Sequence, residues 1–179
     1  MTRTGVGSGH YMRLRRAYTP ERIKLAIIAE RPPASGKYFY DDQGKVSEPL
    51  FAALMQHVGF EDDRPLTKVD GLRRFQEKGW VLVDATYEPV NELPDRQKAD
   101  VITRDYASLR HDLEGLGGPD LLLIKANVCR LLEPLLVRDG FNVLNHNQVV
   151  NFPSNGRQPD FHRQFGDILR HAPRSIVAA

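Results

Sequence analysis

Four short apolar runs, Ile23 to Ala29, Trp80 to Val83, Leu121 to Ile124 and Phe141 to Leu144, are separated by longer segments with helical periodicity. Runs this short and this apolar suit strands buried on both faces, and a helix between successive strands is the connection that makes them parallel. Right-handed crossovers then cover such a sheet on both sides. The pattern predicts an α/β chain: a three-layer αβα domain with a central, mainly parallel four-stranded sheet.

The intervening helices are predicted from their caps and apolar faces. One runs from Glu48 to about His57, capped by Ser47, with Leu50, Phe51, Leu54 and Val58 on one side. Others run from Thr67 to Lys78, ended by Gly79; from Lys98 to Leu116, stopped by Gly117-Gly118-Pro119; from Asn127 to Val137; and from about Pro159 to Arg170. Glu61 to Arg64 reads as a charged turn. Val149-Val150 either extends the sheet or packs the loop that follows it. At 179 residues the chain is expected to form a single domain over 23–179, preceded by a basic, partly flexible arm over 1–22.

That arm is Gly-rich at Gly5, Gly7 and Gly9 and is expected to be flexible until Tyr11 or beyond. Around it, Arg3, Arg13, Arg15, Arg16, Arg22 and Lys24 stand against one acid, Glu21, so the arm either neutralises phosphates or is a solvated terminus. The whole chain has a net charge of only +2, too small to imply nucleic acid by itself. Cys129 is the only cysteine, which rules out an internal disulfide or a cysteine-held iron-sulfur cluster within this chain. The six histidines form no close pair at metal-ligand spacing, so neither a metal nor a cofactor is expected. No apolar stretch approaches the roughly 20 residues of a membrane helix. The first residues lack the apolar core of a signal peptide, and a cytoplasmic location with no membrane partner is the expectation.

Polar groups gather where the first, second and fourth strands end, the edge at which open α/β sheets bind ligands. The first strand runs into Glu30-Arg31-Pro32-Pro33, the second into Asp84, and the segment after the fourth into Phe152-Pro153-Ser154-Asn155-Gly156-Arg157. Neither Gly-x-x-x-x-Gly-Lys-Ser/Thr nor Gly-x-Gly-x-x-Gly follows the first strand, which argues against a P-loop or a standard dinucleotide fold. The lack of Gly-x-Ser-x-Gly argues against an α/β-hydrolase.

Taken together, these loops resemble those of the uracil-DNA glycosylase superfamily, over about Ile23 to Phe165. In that family the first strand ends in a Gly-polar-x-Pro motif, and Ala29-Glu30-Arg31-Pro32 stands there in this chain. The ring that stacks on a flipped base follows soon after, a role open to Tyr38, Phe39 or Tyr40, with Phe39 the choice. The second strand of the family ends in an Asn that reads the base edge, and Asp84 matches it. The fourth leads into a His-Pro-Ser loop, matched by Phe152-Pro153-Ser154. The resemblance implies a protein that binds DNA and excises a base by hydrolysing its N-glycosidic bond. Arg31, Pro32, Phe39, Tyr40 and Asp84 would then surround the base, with Asn91, Ser154, Asn155, Gly156 and Arg157 at phosphates.

Breaking the bond between base and sugar builds positive charge on the sugar and negative charge on the base, so both need electrostatic stabilisation. Where some family members carry a carboxylate and a histidine for these tasks, this chain has Arg31 and Phe152. Glu30 and Asp84 are the candidate catalytic carboxylates, and His146 is a further candidate if its loop folds over the pocket. A carboxylate at Asp84 accepts hydrogen bonds only and favours donor-rich base edges such as guanine, hypoxanthine or xanthine; alternatively it caps a turn or pairs with an arginine. The 154–157 loop offers donors to phosphate or is a solvent loop with a helix cap. Arg96 joins Asn91 as a second phosphate candidate. Lys125 and Asn127 approach the same edge, where Asn127 reads first as a cap. Three functions fit: a DNA glycosylase, a non-catalytic nucleic-acid or nucleotide-binding module, and a hydrolase of free nucleosides or nucleotides.

Overall fold

Leu25–Ala29 forms β1, Trp80–Asp84 β2 and Asp120–Leu123 β3 in the computed structural model, which describes residues 7–60 and 64–178. Arg3, Gly5 and most of the charged turn expected over Glu61 to Arg64 lie outside the described residues. The strands are parallel in the order β2-β1-β3, with Ala29 beside Asp84 and Ile28 beside Leu123. Every residue of β1 and β2 is buried, which is why their sequences are apolar, up to Asp84 at the end of β2, rather than alternating. Two helices, α2 (Pro49–Met55) and α3 (Lys68–Glu77), connect β1 to β2, and α4 (Asp95–Gly115) carries the chain past β1 to β3. The successive connections thus reach strands on opposite sides of β1, so a crevice opens beyond its carboxyl end.

The fourth strand expected over Phe141 to Leu144 is reduced to a single parallel bridge, Leu121 with Val143. Helix α5 (Ala126–Arg138) delivers the chain to the sheet edge. There Leu121 N donates to Asn142 O at 2.9 Å and Leu144 N to Leu121 O at 2.8 Å. The next rung is made by a side chain: Leu123 N donates to Asn145 Oδ1 at 2.8 Å, and Asn145 Nδ2 donates to Leu123 O at 3.0 Å. The buried Asn145 amide thus replaces a peptide group, and the backbone turns off through His146 and Asn147, both at positive φ. Val150 is buried and its carbonyl accepts from Lys125 N at 2.7 Å, so Val149-Val150 packs the loop.

The described part of the N-terminal segment is helical where its glycines suggested a flexible arm. Ser8–Arg16 forms α1, so helix begins before Tyr11. Arg15 is buried and makes a two-pronged bond to Asp112 of α4 at 2.8 and 2.7 Å, which takes it out of any phosphate-binding role. Tyr11 packs edge-on against Tyr38, with centroids 4.8 Å apart, and stacks on Tyr87.

Behind the sheet, α6 (Gln158–His171) places Phe161 and Phe165 against the α2 side, and Trp80 Nε1 donates to Ile176 O in the short helix α7 (Arg174–Val177). In the turn after α2, His57 Nε2 lies 3.1 Å from His162 Nδ1. Burial and the neighbouring His162 push His57 down to about 4, and burial lowers His162 too. The unfolded chain takes up a proton near pH 6.5 that the folded His57 refuses, so stability is present above that pH and lost as pH falls toward 4. Relative to His57→Gln, the wild type should lose on the order of 3 kcal/mol across that range, and thermal melts of the two proteins side by side isolate this from the other titrating groups.

Candidate functional site

The carboxyl ends of the three strands open into a cleft of about 580 Å³. This lies within the range of about 300–1,000 Å³ typical of small-ligand sites. β1 contributes Glu30 through Pro33, β2 ends in Asp84, β3 leads to Lys125, and the loop beyond Val150 adds Phe152, Ser154 and Asn155. The segment from Lys37 to Phe39 and the start of α2 form the facing wall. The ladder continues past the strands: Ala85 N donates to Ala29 O at 2.8 Å and Thr86 N to Glu30 O at 3.0 Å, which fixes the backbone of Glu30.

Glu30 is 5% exposed, and both its oxygens are engaged. Lys125 Nζ donates to Oε1 at 2.6 Å and Asn127 Nδ2 to Oε2. Burial alone would raise this carboxyl, but the bonds from Lys125 and Asn127, with the Lys125 charge, outweigh it and hold Glu30 below the usual carboxylate range. Glu30 is therefore a fixed anion rather than a proton acceptor. Its partner is unusual in its backbone. Lys125 sits at φ 79°, ψ 131° just before α5, a conformation that favours glycine and costs a residue with a Cβ on the order of 1–3 kcal/mol. Lys125 N is bonded to Val150 O and its ammonium to Glu30, so the surrounding structure holds that strain in place.

Asp84 has the opposite character. It is buried, its Oδ2 has no partner, and burial pushes it up to about 7 against the opposing charges of Arg15 and Arg31. The Tyr38 hydroxyl is also buried and without a partner, on a residue that lines the same cleft, and burial raises it as well. Two unmatched polar atoms on lining residues are a cost that a bound polar ligand would remove. A second cavity of about 430 Å³ reaches Asp84 from the α1 side, but its other carboxylates are matched: Asp105 by Thr86 and Arg104, Glu88 by Arg104, and Asp112 by Arg15.

Of the residues singled out in the sequence, Glu30, Arg31, Pro32, Phe39, Asp84, Asn91, Ser154 and Asn155 line the cleft together. Asn91 is there as the partner of Arg31, accepting from its Nε at 2.9 Å. Phe39 is 4% exposed and packed among Tyr40, Phe51 and Phe75, so little of its ring is open to the cleft. Tyr40 lies outside the lining: it is fully buried, and its hydroxyl accepts from Leu82 N at 2.7 Å. Gly156 and Arg157 also lie off the lining, and Arg157 is paired with Asp160 at 3.1 Å on the surface. Arg157 precedes α6 without a capping side chain, and His146 is exposed outside the cleft. The sequence brought Lys125 to this edge without giving it a role, and offered Tyr38 only as a stacking ring. Nothing in the sequence marks Lys125 as strained, and an unmatched hydroxyl exists only in three dimensions.

Among the described residues no group of three or more histidine, cysteine or acidic side chains is placed to hold a metal ion. Likewise among them, no helix is long and apolar enough to cross a membrane. The fold and site together define a mixed α/β protein with a small open parallel sheet and, at its carboxyl edge, a largely apolar cleft that also holds charged side chains. Comparison of the chain with protein-family models, with curated proteins and with solved structures finds no match.

Proposed function

We propose that this chain is a uracil-DNA-glycosylase-like protein that binds DNA, takes a flipped base into the cleft and hydrolyses its N-glycosidic bond. In this reading the fold is a three-layer αβα domain whose fourth strand is the rudimentary one at Val143, working in the cytoplasm. The observation that carries the reading is the pair of buried, unmatched polar atoms, Tyr38 OH and Asp84 Oδ2, carried by two residues that line the cleft together with Glu30. A planar heterocycle satisfies both while its faces meet apolar surface such as Phe39 and Phe152. Arg31 and Ser154 stand at the rim for the phosphate backbone, and DNA affinity should fall steeply with salt.

Asp84 would read the base edge. Protonated, it offers one donor and one acceptor, which suits a mixed edge such as that of uracil; ionised, it accepts only and suits an edge whose N–H lacks a second flanking carbonyl, such as that of hypoxanthine. Glu30, with both oxygens tied, would serve as a negative charge near the sugar as it becomes cationic. Single-turnover release from oligonucleotides bearing uracil, hypoxanthine or xanthine tests this. Asp84→Asn should hold the preference for uracil constant between pH 6 and pH 8.5, whereas the wild type should lose it with rising pH. Glu30→Gln should slow release by about 100-fold or more. No release from any of the three bases at high protein concentration would leave the binding-module reading, which the complete engagement of Glu30 also favours.

A further inference from the structure

We propose that Lys125 is a catalytic residue that carries the negative charge of the departing base, so that the Glu30–Lys125 ion pair serves both ends of the breaking bond. This inference rests on the base-excision reading above. Phe152 stands in the loop from which a cation would otherwise approach the base, and it supplies no charge. Lys125 is the cation on the cleft wall that meets a buried carboxylate: its side chain is 35% exposed, against 5% for Glu30, with 2.6 Å between Nζ and Oε1.

A bare structural ion pair does not require the backbone that Lys125 adopts. At φ 79° a glycine would sit without strain, and Asn127 already donates to Glu30 from the first turn of α5. Strain kept at a cleft wall to place an ammonium is the pattern of a functional side chain. The chemistry then needs two charges of opposite sign a few ångströms apart. As the C1′–N bond breaks, its electron pair leaves on the base, whose oxygen takes a hydrogen bond from Lys125 Nζ. The sugar left electron-poor at C1′ is stabilised by the Glu30 carboxylate. Water adds to C1′ and gives up a proton, which ends on the released base. The fixed pair is thus a dipole opposed to that of the transition state, and it requires no reorganisation as the charges develop.

The test varies the acidity of the leaving base, at nearly constant shape with oligonucleotides bearing uracil or 5-fluorouracil and, as a second pair that differs by a C2 carbonyl, hypoxanthine or xanthine, all read as single-turnover release. Lys125→Gly is the main variant, because glycine relieves the backbone strain and Asn127 remains on Glu30, and thermal melts confirm its fold. Release of the poorer leaving base of each pair should fall by about 100-fold or more, and of the more acidic base by less than about 10-fold, since a better leaving group needs less help. Lys125→Arg, which keeps the charge, should recover most of the rate for the poorer leaver. Equal losses for both members of a pair in a folded Lys125→Gly protein, or unchanged rates, would overturn the assignment while leaving base excision intact. A wild-type protein that releases none of the four bases would instead overturn the reading of the whole cleft, and the role of Lys125 with it.

Discussion

Replacing Asp84 by asparagine is expected to stabilise the protein at pH 8 by about 4 kcal/mol and to leave it unchanged near pH 4. The cause is the burial that pushes this carboxyl up to about 7. Between an unfolded value near 4 and a folded value near 7, the unfolded chain releases a proton that the native protein keeps. The favourable contribution is therefore complete below about pH 4 and is lost as pH rises through 7. Each pH unit between the two values is worth about 1.4 kcal/mol, and asparagine has no proton to release. Urea unfolding of both proteins at pH 4, 6 and 8 checks this. A variant no more stable than wild type at pH 8 would mean that Asp84 is solvated or paired there. A residue that lowers stability at working pH while facing a cleft is retained for something other than folding.

The second large effect concerns the wall opposite the strand ends. Lys68 is fully buried on α3, with Nζ donating to Glu48 Oε2 and to Tyr38 O, both at 2.9 Å. Glu48 Oε1 in turn accepts from Lys45 N at 2.9 Å. This ion pair ties the Tyr38–Glu48 segment to α3 and so sets the position of Tyr38 in the cleft. Lys68→Ala leaves a buried carboxylate and a buried carbonyl unmatched and should cost about 3–5 kcal/mol. For a chain of this size that is a fall in Tm of about 6–20 °C. Adding Glu48→Leu to Lys68→Met should recover much of the loss, because an apolar pair removes the unmatched charge. Calorimetry of the single and double variants separates this from simple loss of volume: a double variant as unstable as Lys68→Ala would show that the charge is not the cause.

Neither Lys68 nor Glu48 stands out in the sequence, where both read as ordinary charged residues of helix surfaces. The same holds for Arg15, whose bond to Asp112 orders α1 across a separation that no local pattern spans. The strands were legible for a simple reason: a residue inside a parallel sheet is buried whichever face it points to, so the sequence must be apolar throughout. The partial fourth strand was legible as an apolar run, but its length was not. Whether an edge segment forms one bridge or several depends on where the chain leaves the sheet, and here Asn145 supplies the next rung from its side chain. The aromatic run Tyr38-Phe39-Tyr40 showed that rings gather beside the first strand. Only packing decided that Tyr40 bonds to β2, that Phe39 is mostly enclosed, and that the Tyr38 hydroxyl is left unmatched.

By itself the sequence determined a mixed α/β chain with parallel strands and polar groups at their carboxyl ends, because burial on two faces and crossover helices leave a periodic trace along the chain. The tertiary structure decided the chemical state of those groups. Glu30 and Asp84 are both acids at strand ends, yet one is held ionised by Lys125 and Asn127 while burial pushes the other up to about 7. Charge and hydrogen bonding depend on distances between residues far apart in the chain, and those distances exist only after folding.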